Sequence, residues 1–424
     1  MMNFIEELKW RGLFYDMIPG TEAHLTSGKR KGYIGFDPTA VSLGIGNFVQ
    51  VILLIHLQKA GHIPYALVGG ATGMIGDPSG KSAERNLLNE DTLNANVEAQ
   101  RKQLENYIDL DGKAGHLVNN YDWFKEMNVL HFLRDVGKHL TVNYMLAKDS
   151  VKSRMETGLS FTEFSYQLIQ GYDFYHLNKE HGVTLQLGGS DQWGNLVAGS
   201  ELIRRKGGGE VFAATTPLVT KSDGGKFGKT ESGNLFIDPK LTSPYKLYQF
   251  WLNASDEDAA NFIKIFTFLG KEEIESLIEE HQKAPHARML QNKLAEEATA
   301  FIHNQEAVDS SKSASRILFG KAAKDELAAI DEKMFLEIFE GVPQFKVDKN
   351  VMTSNVSIVD FLTETTGILN SKGDARRALK ENSISINKEK VTDTEMEMTH
   401  NHLINNKYVL AQRGKKNYFL VIAE

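Results

Sequence analysis

The first half of the chain alternates short apolar runs with longer amphipathic ones, the pattern of a parallel sheet with helical crossovers. Strands are predicted at 31–36, 62–68, 116–119 and 183–187, and helices at 48–60, 90–110 and from about 192 to Arg205. Glycines follow the second and fourth of these strands, as expected where a strand turns into a loop. We therefore predict a Rossmann-like α/β domain over residues 1–230, with a helical insertion at about 120–160.

The later part of the chain changes character. Residues 231–322 are predicted to form an α-helical domain, because helical patterns follow one another from Pro244 onward and strand patterns stop. Residues 323–350 are interpreted as a linker. Residues 351–424 combine helical and short β-like runs, which predicts a small C-terminal α+β domain.

Composition restricts the class of protein. The 424 residues are too many for one ordinary core and suggest several domains. An apolar content of 41%, a charged content of 24% and no apolar run of membrane-span length predict a soluble protein. The chain has no Cys, which excludes disulfides and thiolate metal sites and favours a reducing, cytoplasmic location. The net charge of −7 argues against a uniformly basic nucleic-acid-binding surface, although local basic faces remain possible.

Two glycine-containing segments suggest phosphate chemistry. Residues 33–47 lead from a strand to a helix N-terminus, where backbone amides and the helix dipole favour an anion. Residues 221–230 form a glycine loop whose lysines could converge on one anion and neutralise charge in a transition state. Each segment alone is equally compatible with an ordinary turn or a solvated surface loop.

Two further segments suggest a polar ligand. Tyr166, Gln170 and Asp173 lie at helical spacings of four and three, so they share one helix face among aromatic neighbours. If buried, this polar face needs partners. Asp191 and Gln192 follow a predicted strand, at the end where open α/β sheets bind ligands. A solvent-exposed helix face and a capped strand-to-helix loop are the plain alternatives.

Five motifs occur in the order GFDPTA, GGATGMIGDPSGK, SFTEFSYQLIQGYDF, GGSDQWGN and KFGKT. This set resembles the class I aminoacyl-tRNA synthetases, specifically the bacterial-type tyrosyl-tRNA synthetase family. The tail motif SKGDARRALKENSISINKEKV is similar to an S4-type RNA-binding module. The resemblance implies activation of L-tyrosine by ATP with Mg²⁺, no structural metal, and transfer of the tyrosyl group to tRNA.

The resemblance also implies residue roles. For tyrosine binding it implies Tyr33, Asp77, Tyr166, Gln170, Asp173 and Gln192. For ATP binding it implies Gly35, Asp37, Gly46, Gly189, Asp191, Leu218, Val219 and Lys229. For catalysis it implies Thr39, Asn47, Lys81, Arg85, Lys226, Lys229 and Thr230. For tRNA it implies Arg204 and Arg205 in the first domain, and Arg376 and Arg377 in the tail.

The family further implies a homodimer, formed through the inserted segment around Val129–Leu133 and Phe161, and an anticodon-arm role for the helical domain. Apolar residues on an insertion fit an interface and fit a plain core equally well.

One motif departs from the family pattern. The family's first signature reads His-Ile/Leu-Gly-His, whereas this chain reads Gly44-Ile45-Gly46-Asn47. Asn47 retains a hydrogen-bond donor, but Gly44 has no side chain to donate, and loss of one transition-state donor typically costs ~10²–10³ in rate. The alternative hypotheses are a tyrosine- and RNA-binding paralogue with weak or no aminoacylation, a purely RNA-binding protein, and the related tryptophanyl enzyme.

Overall fold

The structure is a computed structural model that describes residues 2–79, 87–155, 158–230, 233–319, 332–339, 342–414 and 417–424. The chain divides into two compact units, one formed by Met1–Thr242 with Asn253–Leu294 and the other by Ser243–Leu252 with Ala295–Glu424. Each unit has its own sheet and is described separately.

The first unit is built around a six-stranded sheet. Its strands are β1 Asp16–Met17, β2 Lys31–Phe36, β3 Ile63–Val68, β4 His116–Asn119, β5 Leu185–Gly189 and β6 Phe212–Thr216. They lie in the order β1-β6-β5-β2-β3-β4, with β1 antiparallel and the other neighbours parallel. After β2 the chain adds strands toward one edge, and from β5 it adds them toward the other. The crevice between β2 and β5 is therefore the topological switch point, where open α/β sheets bind ligands.

Helices connect and cover these strands. Those of the first unit are α1 Phe4–Arg11, α2 Thr21–Thr26, α3 Ile45–Lys59, α4 Glu90–Tyr107, α5 Tyr121–Phe124, α6 Val129–Asp135, α7 Val142–Leu146, α8 Asp149–Met155, α9 Phe161–His181, α10 Trp193–Arg205, α12 Asp256–Phe266 and α13 Lys271–Lys283. The core forms where strand and helix side chains meet, for example where Tyr33 and Tyr65 pack with Phe174. Two further short strands, β7 Lys229–Thr230 and β8 Gly233–Asn234, pair with each other.

Local sequence explains where the site-bearing helices begin and end. Ser160 caps α9 by accepting a hydrogen bond from the Glu163 amide, and Gly182 ends this helix with a left-handed φ of 67°. Helix α3 begins differently, because its cap position is Gly44 and no side chain caps it. The Ile45 amide donates to the Leu235 carbonyl at 2.9 Å, so the Gly46 and Asn47 amides are the first-turn donors left for something other than a protein cap.

The second unit contains a five-stranded sheet. Its helices are α11 Pro244–Leu252, α15 Gln305–Phe319, α16 Glu332–Ile338, α17 Ile358–Asp360 and α18 Lys372–Lys380, and α14 Met289–Ile302 runs from the first unit into the second. Its strands are β9 Gln344–Val347, β10 Val356–Ser357, β11 Ile384–Ile386, β12 Glu389–Val391, β13 Glu397–Met398, β14 Tyr408–Arg413 and β15 Asn417–Ala423. The sheet order is β12-β11-β14-β15-β9, while β10 and β13 form a separate pair.

The predicted fold class is confirmed: a parallel sheet with a helical insertion, further helices, and a C-terminal domain with its own sheet. The described part of the segment interpreted as a linker contains α16 and β9, and β9 pairs with β15. This segment is therefore built into the second unit where it is described. Among the described helices, none combines the length and hydropathy that crossing a membrane requires.

Candidate active site

A cavity of about 380 Å³ opens at the carboxyl ends of β2 and β5. Its lining includes most of the residues expected to contact tyrosine or ATP, namely Tyr33, Gly35, Asp37, Thr39, Gly46, Asn47, Asp77, Tyr166, Gln170, Asp173, Gly189, Asp191, Gln192 and Leu218. Residues far apart in the sequence therefore meet at the switch point.

Tyr33 and Asp173 occupy the buried end of the cavity. Tyr33 is 1% exposed and Asp173 is 2% exposed. Asp173 accepts hydrogen bonds from Asn120 Nδ2 at 3.1 Å and from Trp123 Nε1 at 2.9 Å. The Tyr33 hydroxyl has no hydrogen-bond partner among the described residues. An unpaired buried hydroxyl is costly, so this end of the cavity is suited to a ligand with a polar group.

Burial also sets the protonation state of this pair. Burial raises the pKa of Asp173 to about 8, although hydrogen bonds from Asn120 and Trp123 act in the opposite direction. Burial, together with the Asp173 charge, raises the pKa of Tyr33 well above its usual value. A hydroxyl that donates to the Asp173 carboxylate would favour its ionised form and lower this pKa.

Asp37 and Tyr166 form a contact across the cavity. The Tyr166 hydroxyl donates to Asp37 Oδ2 at 2.8 Å. Burial, followed by the charges of Asp37 and Asp77, raises the pKa of Tyr166 well above its usual value. Gly69 lies next to Asp37, and a Cβ atom added at Gly69 would overlap both Thr72 Oγ1 and Asp37 Oδ1. Only glycine fits at this position without moving the carboxylate.

Asp77 is the centre of a buried polar network. It accepts hydrogen bonds from the Ser79 amide at 2.9 Å and from Gln192 Nε2 at 2.6 Å. Asn195 Nδ2 approaches Ser79 Oγ at 3.3 Å and Gln192 Oε1 at 3.1 Å. Gln170 contributes a buried Oε1 with no partner within the described part of the chain. Carboxylates and amide oxygens that face one cavity favour a cationic group, such as an ammonium.

The opposite side of the cavity suits an anion. Gly46 and Asn47 lie in the first turn of α3 and line the cavity, and this turn has no acidic residue. First-turn amides lack intrahelical partners, and the dipole of a helix stabilises negative charge at its N-terminus. The cavity therefore combines a site for a polar hydroxyl, a cluster of carboxylates and a helix N-terminus.

The 221–230 loop is anchored beside this helix. The Phe227 ring stacks on Phe266 with 5.0 Å between ring centroids, and the Ser222 amide donates to Asp258 Oδ1 at 2.7 Å. Gly228 has a φ of 72°, and a Cβ atom there would lie 2.5 Å from Ile45 Cγ2, so the position requires glycine. The loop backbone thus runs directly against the start of α3.

Several expected site residues lie elsewhere. Lys226 and Lys229 are exposed and do not line the cavity, and the Val219 side chain is half-buried but is not part of the lining. For Thr230 the structure describes the backbone alone. Lys81 and Arg85 fall outside the described residues.

The residues expected to bind tRNA differ in their availability. Arg204 is 71% exposed and bonds to Glu201. Arg205 is 28% exposed, bonds to Glu201 and donates to the His139 carbonyl at 2.7 Å, so it makes internal contacts. In the second unit Arg376 is exposed, and Arg377 donates to Asp374 at 2.9 Å.

Sequence reasoning missed several residues of the cavity and its support: Gln50, Thr72, Ser79, Asn120, Trp123 and Asn195. Asn120 directly follows β4, so the rule that polar groups cluster at strand ends could have found it. Trp123 gave no such signal, because its role depends on a contact with Asp173, fifty residues away.

Comparison with known proteins agrees with this geometry. Residues 26–320 match the family described as tRNA synthetases class I (W and Y), and residues 335–421 match the tyrosine–tRNA ligase SYY-like C-terminal domain. The chain therefore belongs to the class I tRNA synthetases of the tryptophan and tyrosine type.

Relatives within that family are more specific. A tyrosine–tRNA ligase of Flavobacterium johnsoniae is 58% identical over 429 residues, which is 99% of each chain. A tyrosine–tRNA ligase of Porphyromonas gingivalis is 55% identical over 430 residues, which is 100% of each chain. A solved structure, the C-terminally truncated mitochondrial tyrosyl-tRNA synthetase of Aspergillus nidulans, has a TM-score of 0.67 and 30% identity, and it covers 75% of this chain and 95% of that one.

Proposed function

We propose that this chain joins L-tyrosine to tRNA(Tyr) in two steps, with tyrosyl-adenylate as the intermediate. The observation that carries the proposal is the Tyr33 hydroxyl, which is buried without a partner beside Asp173 in the cavity. A phenol hydroxyl entering this cavity would satisfy both groups, whereas phenylalanine would leave them unpaired. Tyrosyl-tRNA synthetase is the reference case for this kind of selectivity, with discrimination against phenylalanine by a factor of about 10⁵. That factor is known for the family and does not come from the geometry of this cavity.

The substrate orientation follows from the two ends of the cavity. The phenol lies toward Tyr33 and Asp173, and the ammonium lies among Asp77, Tyr166 and Gln170. The tyrosine carboxylate then points toward Gln192 and Asp37, next to the N-terminus of α3. In this orientation the substrate ammonium meets the carboxylate cluster. The substrate carboxylate meets the Gly46 and Asn47 amides at the N-terminus of α3.

The first step is an in-line displacement at phosphorus. A carboxylate oxygen of tyrosine forms a bond to the α-phosphate of ATP, the bond from that phosphorus to the bridging oxygen breaks, and pyrophosphate leaves. The enzyme forms no covalent intermediate and acts by positioning and charge stabilisation. Gly35, Thr39, Gly46 and Asn47 contact the phosphates, and Gly189 and Asp191 contact the ribose. Leu218 and Val219 are assigned to the adenine on family resemblance. Mg²⁺ arrives with ATP, because this ion is usually held through substrate phosphates.

The loop lysines act on the leaving group. Lys226 and Lys229 are exposed beside the start of α3, so movement of the 221–230 loop would bring them onto the β- and γ-phosphates. Thr230, Lys81 and Arg85 are assigned to the same task on family resemblance. The ammonium groups of the lysines and the guanidinium group of Arg85 would neutralise charge as pyrophosphate departs, and the Thr230 hydroxyl would donate a hydrogen bond.

In the second step a hydroxyl of the terminal tRNA ribose attacks the tyrosyl carbonyl, and AMP leaves. The tRNA contacts assigned to this step are Arg204, Arg205, Arg376 and Arg377. The assignment is best supported for Arg376, because its side chain is exposed. It is least supported for Arg205, because that side chain makes contacts within the protein. The reaction is placed in the cytoplasm, where charged tRNA is used.

A homodimer is part of the proposal. Exposed apolar side chains gather on the insertion and the start of α9, where Leu130 is 73% exposed, Val129 67% and Phe161 75%. Large exposed apolar groups on one segment favour an interface. Sedimentation of the intact protein tests this assembly, and a single monomeric species at micromolar concentration would contradict it.

The experiment that tests the function is pyrophosphate exchange. Labelled pyrophosphate should enter ATP only when L-tyrosine is present, and L-phenylalanine should support far less exchange. Charging of tRNA(Tyr) with labelled tyrosine then tests the second step. Tyrosine binding without exchange would instead support the paralogue hypothesis, but relatives that are ligases over the full length do not favour it.

A further inference from the structure

Helix α4 carries a row of amide side chains that bind the backbone of the loop after β2. Asn96, Gln100 and Gln103 lie at spacings of four and three, so they share one face of the helix. Asn96 is 5% exposed and Gln100 is 2% exposed. Most buried polar groups in proteins have a hydrogen-bond partner, and each of these three side chains makes a hydrogen bond to a backbone group of residues 38–43.

Each amide has a distinct partner in this loop. Asn96 Nδ2 donates to the Pro38 carbonyl at 3.0 Å, and Gln100 Nε2 donates to the Ala40 carbonyl at 2.9 Å. Gln103 has the reverse role, because its Oε1 accepts from the Leu43 amide at 2.9 Å. These roles are fixed by chemistry, since a backbone carbonyl can only accept and a backbone amide can only donate.

A second contact extends the arrangement toward residue 238. Gln103 Nε2 donates to Ser42 Oγ at 3.0 Å, and Ser42 Oγ also accepts from the Asp238 amide at 3.2 Å. Gln100 Oε1 is buried with no partner among the described residues, so this side chain is held by its donated bond alone. The three amide side chains together hold the loop at the Pro38 carbonyl, the Ala40 carbonyl and the Leu43 amide.

The opposite side of the same loop faces the cavity. Asp37, Thr39 and Leu43 line it, followed by Gly46 and Asn47 at the start of α3. None of the three amides of α4 lines the cavity. They can therefore influence the reaction only through the position of the loop.

We propose that Asn96, Gln100 and Gln103 are positioning residues for tyrosine activation, which hold the 37–47 segment where it meets the triphosphate. The inference rests on the proposed function. Loop residues lose much conformational entropy on ordering, and a misplacement of about 1 Å in a reacting site can cost ~10²-fold in rate. Loss of an amide should therefore lower the rate with ATP more than it weakens tyrosine binding.

The sharpest test makes the same chemical change at two positions. Gln103→Glu keeps an oxygen that accepts from the Leu43 amide, and the oxygen that replaces Nε2 can accept from the Ser42 hydroxyl, so exchange activity should stay within about threefold of wild type. Gln100→Glu replaces the Nε2 donor to the Ala40 carbonyl by an oxygen, so kcat/KM for ATP should fall about 10- to 100-fold. Gln100→Ala and Gln103→Ala should both show the loss.

Controls separate positioning from general damage. Asn94 is exposed on the same helix, so Asn94→Ala and Asn94→Asp should leave exchange unchanged. Calorimetric affinity for L-tyrosine should change less than about threefold in Gln100→Glu, and circular dichroism should confirm folding. Hydrogen exchange in residues 37–47 should be faster in Gln100→Glu than in Gln103→Glu.

The outcomes are distinguishable. Exchange activity absent in the wild-type protein would overturn the proposed function itself. If the wild-type protein is active, two results would overturn the positioning role and leave the proposed function intact. One is an equal loss of exchange activity in Gln100→Glu and Gln103→Glu, and the other is no loss of exchange activity in Gln100→Ala.

Discussion

The indole nitrogen of Trp123 donates a 2.9 Å hydrogen bond to Asp173, the carboxyl group at the buried end of the cavity. Asn120 donates to the other oxygen of the same carboxyl at 3.1 Å. The carboxyl is thus oriented by two donors from residues 120–123, while burial still raises its pKa to about 8. A substrate phenol would supply a third donor and shift this balance toward the ionised form.

The first prediction concerns pH. Because burial raises the pKa of Asp173 to about 8, the free protein should carry a proton on Asp173 below that pH, and tyrosine binding should release it. Affinity for L-tyrosine should therefore rise between pH 6 and 8 and level off above pH 8. Calorimetry in buffers of different ionisation enthalpy would measure the released proton. A flat affinity over this range, with no proton release, would contradict the assignment of Asp173.

The same shift affects stability with a definite sign. In the folded protein the pKa of Asp173 lies above its ordinary value of 3.8, so the folded state binds more protons than the unfolded state between about pH 4 and 8. This group therefore lowers the free energy of unfolding as pH rises through that window. Asp173→Asn should unfold at a higher temperature than wild type at pH 8.5, with a smaller difference at pH 5. An equal difference at both pH values would show that Asp173 does not titrate in this way.

The second prediction concerns the unpaired hydroxyl. Tyr33→Phe removes a buried group that has no described partner, so the free protein should be as stable as wild type or more so. Its affinity for L-tyrosine should fall about 2- to 10-fold, the effect of one neutral hydrogen bond. Discrimination against phenylalanine should fall by a similar factor in pyrophosphate exchange. Retention of full discrimination would show that Tyr33 does not contact the phenol.

The third prediction concerns Gly44. Its φ of −74° suits any residue, and among the described residues a Cβ atom there would contact the Leu235 carbonyl oxygen alone, at an ordinary 3.5 Å. Gly44→His should therefore fold and place a donor beside the start of α3. Tyrosine activation should accelerate by up to about 10²–10³-fold, the usual effect of one such donor. Gly44→Ala is the control for the backbone freedom lost when glycine is replaced. An unchanged rate of tyrosine activation in Gly44→His would show that a side chain at this position does not reach the phosphates.

The fourth prediction concerns the second unit. Arg376→Ala should raise KM for tRNA several-fold and reduce the salt dependence of charging by about one unit of slope. Tyrosine-dependent pyrophosphate exchange should not change. Lys179→Ala, which removes a 62% exposed lysine from the first unit, is a matched control for lost charge. Normal tRNA kinetics in Arg376→Ala would remove this arginine from the RNA contact.

Deletion of the tail from Val356 would not be a clean test of the RNA contact. Strand β9 lies before Val356 and pairs with β15, and Phe335 and Phe339 pack with Tyr408 and Leu410. Such a deletion would leave a strand unpaired and expose buried aromatic rings, so lost charging could reflect misfolding. Substitutions of exposed residues avoid this ambiguity.

Much of the fold can be predicted from the sequence, because the spacing of hydrophobic residues within a short segment indicates whether that segment is a strand or a helix. The predicted strands 31–36 and 116–119 agree with β2 and β4 at both ends. The sequence of β6 has no comparable hydrophobic pattern, because the strand consists largely of Ala and Thr residues after a run of glycines. Its position as a strand becomes clear only from its pairing with β5. Helix α3 begins at Ile45, before the predicted residue 48, because the Ile45 amide is fixed by the Leu235 carbonyl.

The candidate site shows the same division. Motif order predicted most of the cavity lining, since four of the five motifs contribute residues to it and the described part of KFGKT does not. The contacts that orient those residues were not predictable, because Trp123 and Gln100 act through partners many residues away. Spacing within one element identifies a shared face, but it does not identify the group opposite that face.

The central claim is that the cavity selects a phenol hydroxyl, and calorimetry tests it most directly. L-tyrosine titrated into the intact wild-type protein at pH 8 should release heat that fits one site per chain, while L-phenylalanine at the same concentration should give no measurable binding. Equal affinity for the two amino acids, or no heat with L-tyrosine, would contradict the account.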